Sequence, residues 1–427
     1  MIQSCRKILS WAGAALMVSA ASVQADFQGS THLMPFDEEP ISYGKGEPKG
    51  PVASLQEKID KGEVKLKFEP GYGYIRSLLE ALKVPSSSQM LVFSKTSLQR
   101  ERITPKTPRA IFFNDDIYLG FIPGAPLVEV AVADPQLGAV FYTLDQLKVD
   151  KPRIVRNQQC LECHVSSKSM GVPGHLVRSF ETDENGMVDA NSGTSLVDHR
   201  TPLAERWGGW YVTGTHGKQT HRGNLVGKTA FERQEKEPNY CGNETNLSKY
   251  FDTSEYVTPH SDIVALMVLE HQTHMHNFIT RMNYEARIRV AQYGEVKYLN
   301  SATESFLKYL LFAEETPLTE PIRGTSEFAK QFSESGPRDR KGRSLRDFDL
   351  KTRLFKYPCS YLIYSEAFEG LPDALKQNIY ARLKKILDGG DQEFTQIPLE
   401  TRRTIFEILS DTKANLPGSW KSNVAQK

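Results

Sequence analysis

The sequence predicts an α+β chain with an antiparallel β meander in its N-terminal half and a mainly helical C-terminal half. Two observations carry that class. Between Arg109 and Leu144 the chain runs in short β-branched and aromatic stretches punctuated by turn residues. From Ser261 onward, apolar residues recur at helical spacing. The composition is that of a globular protein, with 39% hydrophobic, 25% charged and 10% aromatic residues among 427. Lys plus Arg number 53 against 52 for Asp plus Glu, a net charge of +1. Such a balance argues against nucleic acid as a partner, since that function calls for a basic excess.

Residues 1–25 read as a secretory signal peptide. Arg6 and Lys7 precede an apolar, small-residue run from Ile8 to Val23, and Val23-Gln24-Ala25 offers a cleavage site. The run falls short of the ~20 residues a helical span needs, so the reading is export to the periplasm without a transmembrane segment after signal cleavage. Residues 26–150 then form an α+β segment. Its first part, to about residue 52, reads as an extended arm rich in Pro, Gly and acidic residues. Ser54 to Lys61 and Tyr72 to Leu82 have helical spacing. Strands are expected at Ala110 to Phe113, Ile117 to Ile122, Leu127 to Ala133 and Ala139 to Thr143. The alternation of Val128, Val130 and Val132 with Glu129 and Ala131 gives the third of these one buried face.

Residues 151–295 hold the strongest motif. Cys160-Leu161-Glu162-Cys163-His164 is a C-x-x-C-H run, the attachment signature of c-type haem. Two thiols three positions apart reach the two vinyl groups of one macrocycle, and the adjacent imidazole of His164 is then held against the iron as proximal ligand. A zinc site would call for a second pair of ligands at matching spacing, and the chain has no second C-x-x-C. A thioredoxin-like pair is disfavoured by the following His164 and by the lack of a surrounding βαβ pattern. The expected fold class thereby gains one covalent haem c per chain, lying between the two halves. Export also leaves Cys241 and Cys359 in an oxidising compartment, where they could form a disulfide worth about 4 to 5 kcal/mol or remain two separate buried thiols.

After the motif, residues 165 to 260 are rich in Gly, His and Trp, with a turn at Asp183-Glu184-Asn185-Gly186 and a strand expected at Trp210 to Thr213. Ser261 and Asp262 read as caps of a helix running to about Ala291. Residues 296–427 form a helical C-terminal region, with helices over Ser305 to Phe312, Pro372 to Leu387 and Leu399 to Leu409.

The chain resembles a group of uncharacterised exported bacterial proteins described only as cytochrome c domain-containing. The resemblance rests on Leu91 to Ser97, Phe112 to Asp116, Cys160 to His164, Gly171 to His175, Trp207 to Gly217, Thr258 to Gln272 and Tyr357 to Ser365. It runs through most of the chain. It implies a c-type haem on Cys160, Cys163 and His164, and no substrate.

The sixth iron ligand separates a carrier from a catalyst. On a 3.6-residue wheel the helix after Asp262 carries Val264, Met267, Val268, His271, Met275, Phe278 and Met282 on one stripe, with His271 at its centre. An imidazole amid apolar residues needs a partner, and a covering haem would supply one. His271 is therefore a distal candidate, although a core histidine bonded to a neighbouring element satisfies the same pattern. Met275 and His175 are the alternatives. His274 lies at the stripe's edge and His276 points well away from it. Met170, His216 and His221 could line the pocket. Trp207 and Trp210 could pack on the porphyrin or in the core. The basic run Arg338, Arg340, Lys341, Arg343 and Arg346 could clamp propionates, dock an acidic redox partner, or be a solvated loop.

Three functions are consistent with these residues. One is a periplasmic monohaem cytochrome passing electrons between redox partner proteins. Another is a haem-dependent oxidoreductase with an open distal site, and the third is a haem-containing sensor. The length favours the last two over a bare carrier, because a minimal haem module would leave most of the chain unexplained.

Overall fold

The computed structural model of the chain describes residues 33–421 apart from 194, 239 and 241. The expected signal peptide and Cys241 lie outside the described residues. The chain is α+β, with an antiparallel sheet in the N-terminal half and helices in the C-terminal half.

Helices α1 (Pro51–Asp60) and α2 (Ile75–Ala81) precede the strands β1 (Met90–Val92), β2 (Arg109–Phe113), β3 (Ile117–Phe121), β4 (Leu127–Asp134), β5 (Gly138–Asp145) and β6 (Ile154–Arg156). After the one-turn helix α3 (Leu161–His164) come the two-residue strands β7 (Arg178–Ser179), β8 (Ser195–Leu196), β9 (Trp210–Tyr211) and β10 (Gly214–Thr215), and α4 (Lys228–Lys236). The helix α5 spans Ile263–Tyr293. The chain closes with α6 (Asn300–Leu310), β11 (Arg323–Gly324), α7 (Phe328–Glu334), α8 (Glu366–Glu369), α9 (Asp373–Leu387), α10 (Leu399–Thr412) and α11 (Gly418–Lys421).

Seven strands form one antiparallel sheet in the order β6-β5-β4-β3-β2-β1-β9. The four expected strands are its centre. Turn chemistry sets the register of the long β4–β5 hairpin. The Asp134 carboxylate accepts from the backbone N–H of Gln136 and Leu137, at 2.8 and 2.9 Å, and Gly138 takes a φ of 70°. Val128, Val130 and Val132 then face one side of the sheet, against α1 and α2. On the other side Met90, Val92, Phe113 and Tyr118 share a core with α5 and the C-terminal helices.

This layering buries α5 all round. The Asp262 carboxylate caps it, accepting from Val264 N and Ala265 N at 2.8 and 3.2 Å, and Gly294 ends it in the left-handed region. Every residue from Ile263 to Tyr284 is buried, polar ones included. The single apolar stripe read from the sequence is therefore not the only buried face, because the sheet covers one flank of α5 and α6, α7 and α8 cover others.

The N-terminal segment is not a loose arm over its described part. Ile41 and Tyr43 are buried, and Tyr43 Oη donates to the Ala139 carbonyl at 2.9 Å. Among the described residues no helix is long and apolar enough to cross a membrane.

Candidate functional site

The motif sits where β6, an edge strand of the sheet, leads into α3. Asn157 caps the turn, its side chain accepting from Gln159 N at 3.0 Å. Cys160 is half-buried, Cys163 is exposed, and both thiols are free. Burial and the nearby Glu129 push the Cys160 thiol up to about 11.

His164 ends α3, and the loop after it folds back to hold its ring. His164 Nδ1 lies 2.9 Å from the Gly174 carbonyl, which can only accept, so Nδ1 carries the proton and Nε2 keeps its lone pair. Gly174 N donates to the His164 carbonyl at 3.0 Å, and Val165 bridges Pro173. Glycine is required at 174. A Cβ there would meet Asn277 Oδ1 at 2.3 Å and Ser169 Cβ at 3.0 Å. Asn277, on α5, clasps the next residue at two points: its Oδ1 accepts from His175 N at 2.8 Å and its Nδ2 donates to the His175 carbonyl at 2.7 Å. The central helix thus fixes the loop, and the loop fixes His164.

At this loop five rings gather, those of His164, His175, Phe141, Tyr118 and His276. Phe141 lies 4.6 Å from the His164 ring and 6.1 Å from that of His175. Tyr118 packs on His175 at 4.3 Å, and His276 lies 5.9 Å from His175. Tyr118 Oη and His276 Nδ1 are 2.9 Å apart. Gln272 Nε2 donates to the same hydroxyl at 2.8 Å, and Gln272 Oε1 accepts from Tyr361 Oη. His175 Nε2 and His276 Nε2 are both buried without a partner. Burial lowers both imidazoles, His276 to about 3 and His175 well below the usual histidine range, with the neighbouring His276 and His164 adding to the shift at His175.

The other side of α5 holds a different set. His271 Nδ1 lies 3.0 Å from His199 Nδ1, and His271 Nε2 lies 2.8 Å from Ser360 Oγ. Its ring stacks on Phe312 at 4.2 Å. Immediately before it the buried Glu270 pairs with Arg206 and accepts from Trp207 Nε1 at 2.9 Å. Asp198 pairs with Arg200 at 2.7 Å and has His274 within 3.8 Å. Burial acts to raise the Asp198 carboxyl, yet His274 and Arg200 together hold it below its ordinary value.

The structure thus brings His164 and His175 to one locality, with His276 beside them. His271 is elsewhere, both its nitrogens already engaged. Met275 is fully buried in the main core, and Met170 is buried with its carbonyl accepting from Arg281 at 2.8 Å. Cys359 is a fully buried free thiol, and its expected partner Cys241 is outside the described residues. Trp207 and Trp210 are core residues with their indole N–H groups bonded to Glu270 and to the Arg178 carbonyl. His216 and His221 are buried together, ring centroids 4.7 Å apart. In the basic run, Arg338, Arg340 and Lys341 are exposed to water and only Arg346 is buried, and the five charges pair with this chain's own Asp347, Asp411, Glu407, Asp339 and Asp115.

His276, Tyr118, Phe141 and Asn277 are the neighbours of the motif that sequence reasoning missed. A wheel signal existed for His276, which lies about 140° from His271 and so on the opposite side of the helix. The wheel ranks that side low because it assumes one buried face, whereas α5 is buried on every side from Ile263 to Tyr284. Comparison with family models, curated proteins and solved structures finds no match.

Cys160, Cys163 and His164 fit a covalently attached haem. Both thiols are free at the protein surface, and the hydrogen bond to Gly174 presents His164 Nε2 as a metal-binding nitrogen. Among the described residues no cluster of three or more His, Cys, Asp and Glu forms a ready metal cage.

Proposed function

We propose that the protein is an exported monohaem c-type cytochrome that transfers electrons, with the haem on Cys160 and Cys163 and His164 as proximal ligand. The observation that carries this reading is the commitment of His164 Nδ1 to the Gly174 carbonyl beside two free thiols in C-x-x-C-H spacing. Bound haem supplies a one-electron iron couple. The chain's own part is to orient His164 through the loop that Asn277 clasps, and to keep water from its buried side. For the sixth position, the buried and unpartnered Nε2 of His175 supports that residue over His271. Redox partner proteins in the periplasm are the expected donors and acceptors.

A second reading is a haem-dependent oxidoreductase whose sixth position stays open. The hydrogen-bonded pair Tyr118 and His276, buried beside His175, favours it by offering groups that can hold a proton.

One set of spectra separates these. A pyridine haemochrome assay should give one haem per chain that acid acetone cannot extract. A low-spin ferric spectrum unmoved by cyanide supports the carrier, a high-spin spectrum that cyanide changes supports the enzyme, and absence of covalent haem from protein exported in a cytochrome-c-maturing host rejects both.

A further inference from the structure

At the end of the sheet where β2 turns into β3, a cleft of about 720 Å³ opens between that turn, the start of α1, the segment after α2, α7 and the start of α8. That volume is in the range of small-molecule sites. Its walls combine two kinds of side chain. Phe113, Phe328 and Phe332 supply aromatic surface, while Asp115, Asp116 and Glu366 supply three carboxylates. Two positive groups also line it. The Arg346 guanidinium is already committed, paired with Asp115 and held over the rings of Phe332 and Tyr361 at 4.5 and 4.4 Å. Lys83 is exposed to water. Asp116 has no such partner. Its backbone is pinned by Asn114 Oδ1 and by Ala133 N, at 3.1 and 2.8 Å, but its buried Oδ1 accepts from nothing.

We propose that this cleft binds a small organic cation, a protonated amine carried on an apolar body, with Asp116 accepting from the ammonium and Phe113, Phe328 and Phe332 packing on the body. A cation answers the two unmet features together. It gives the Asp116 carboxylate, to which no hydrogen bond runs, its missing donor, and it balances carboxylates that Arg346 neutralises only in part. Aromatic faces add to the attraction for a positive group. An anion would instead seek the buried Arg346 Nε, which also lacks a partner, and would have to enter among three carboxylates. The site is independent of the haem reading.

Proton linkage gives the proposal a second handle. Burial, with Asp115 and Glu366 adding and Arg346 opposing, raises Asp116 to about 7. A cation binds the ionised form, so affinity must rise as pH rises through that value.

The test uses the full chain, titrated calorimetrically with benzylamine, benzyl alcohol and benzoate. Benzylamine should bind at least about tenfold more tightly than benzyl alcohol. Its affinity should increase from about pH 6 to about pH 8, over which the amine stays protonated. Asp116→Asn should weaken benzylamine about tenfold, abolish the pH dependence and leave benzyl alcohol unchanged. A melting curve checks that the variant is folded; should it not be, Glu366→Gln and the wild-type pH series carry the test. Tighter binding of benzoate, no binding of any probe, or affinity for benzylamine that is flat with pH would overturn the proposal.

Discussion

His271 and His276 stand five residues apart on α5, both fully buried, and burial lowers both imidazoles to about 3. Their surroundings differ in kind. His271 has a partner for each nitrogen, His199 and Ser360, although the Nε2 of His199 itself is buried without one. His276 has one, Tyr118, and with His175 faces the loop that holds His164. Burial alone therefore does not distinguish a structural histidine from a functional one. What sets these two apart is that His276 keeps a buried nitrogen of its own unmet, which is costly unless a ligand arrives to satisfy it.

The largest effect that could break this comparison is loss of the proposed haem. Replacing Cys160 and Cys163 together by Ala should remove all covalent haem, measured on denatured and washed protein. Retention of haem by that variant would show the motif to be misread, and the motif side of α5 would lose its functional meaning. Next come the two histidines themselves. His271→Ala should destabilise by about 3 kcal/mol, through a cavity and the unpaired groups left on Ser360 and His199, while the ferric spectrum stays as it was. His175→Ala should shift the spectrum or open the iron to cyanide, with a smaller cost in stability. Denaturant melts and spectra on the same samples decide it, and the opposite pattern would exchange the roles of the two sides.

Acid sharpens the comparison further. His271 is neutral in the folded chain, held at about 3 against 6.5 for an unperturbed histidine, so below 6.5 the unfolded chain binds more protons. Its contribution to stability is complete above about pH 6.5 and is lost progressively as pH falls toward 3, on the order of a few kcal/mol in all. His271→Gln, which cannot titrate, should show a shallower fall in stability over that window. Equal slopes for the two proteins would mean that His271 is not buried neutral. The smallest expected effect is at His276. His276→Phe should cost about 1 kcal/mol in melts, for one lost hydrogen bond to Tyr118, because the ring's other nitrogen has no partner to leave behind.

Much of the architecture is local and so was written in the chain. The alternation of Val128, Val130 and Val132, the Asp134 to Gly138 turn and the Asp262 cap each act within a few residues, and each element formed where those signals lie. The expected strand at Trp210 to Thr213 forms as β9, whereas the short strands β1 and β6, at three residues each, have no period of their own and exist by pairing with neighbours. The C-x-x-C-H spacing is equally local, because its chemistry needs only two thiols and an imidazole on one turn. Which histidine approaches that turn was decided by tertiary structure. A wheel ranks faces by apolarity on the premise that one face is buried, and a helix packed between a sheet and other helices buries them all. Asn277 holding the 174–175 backbone, Gly174 fixing the His164 tautomer, and Ser360 satisfying His271 join residues up to 102 positions apart. Contacts at such separations are set by how the layers pack, and no spacing along the chain encodes them.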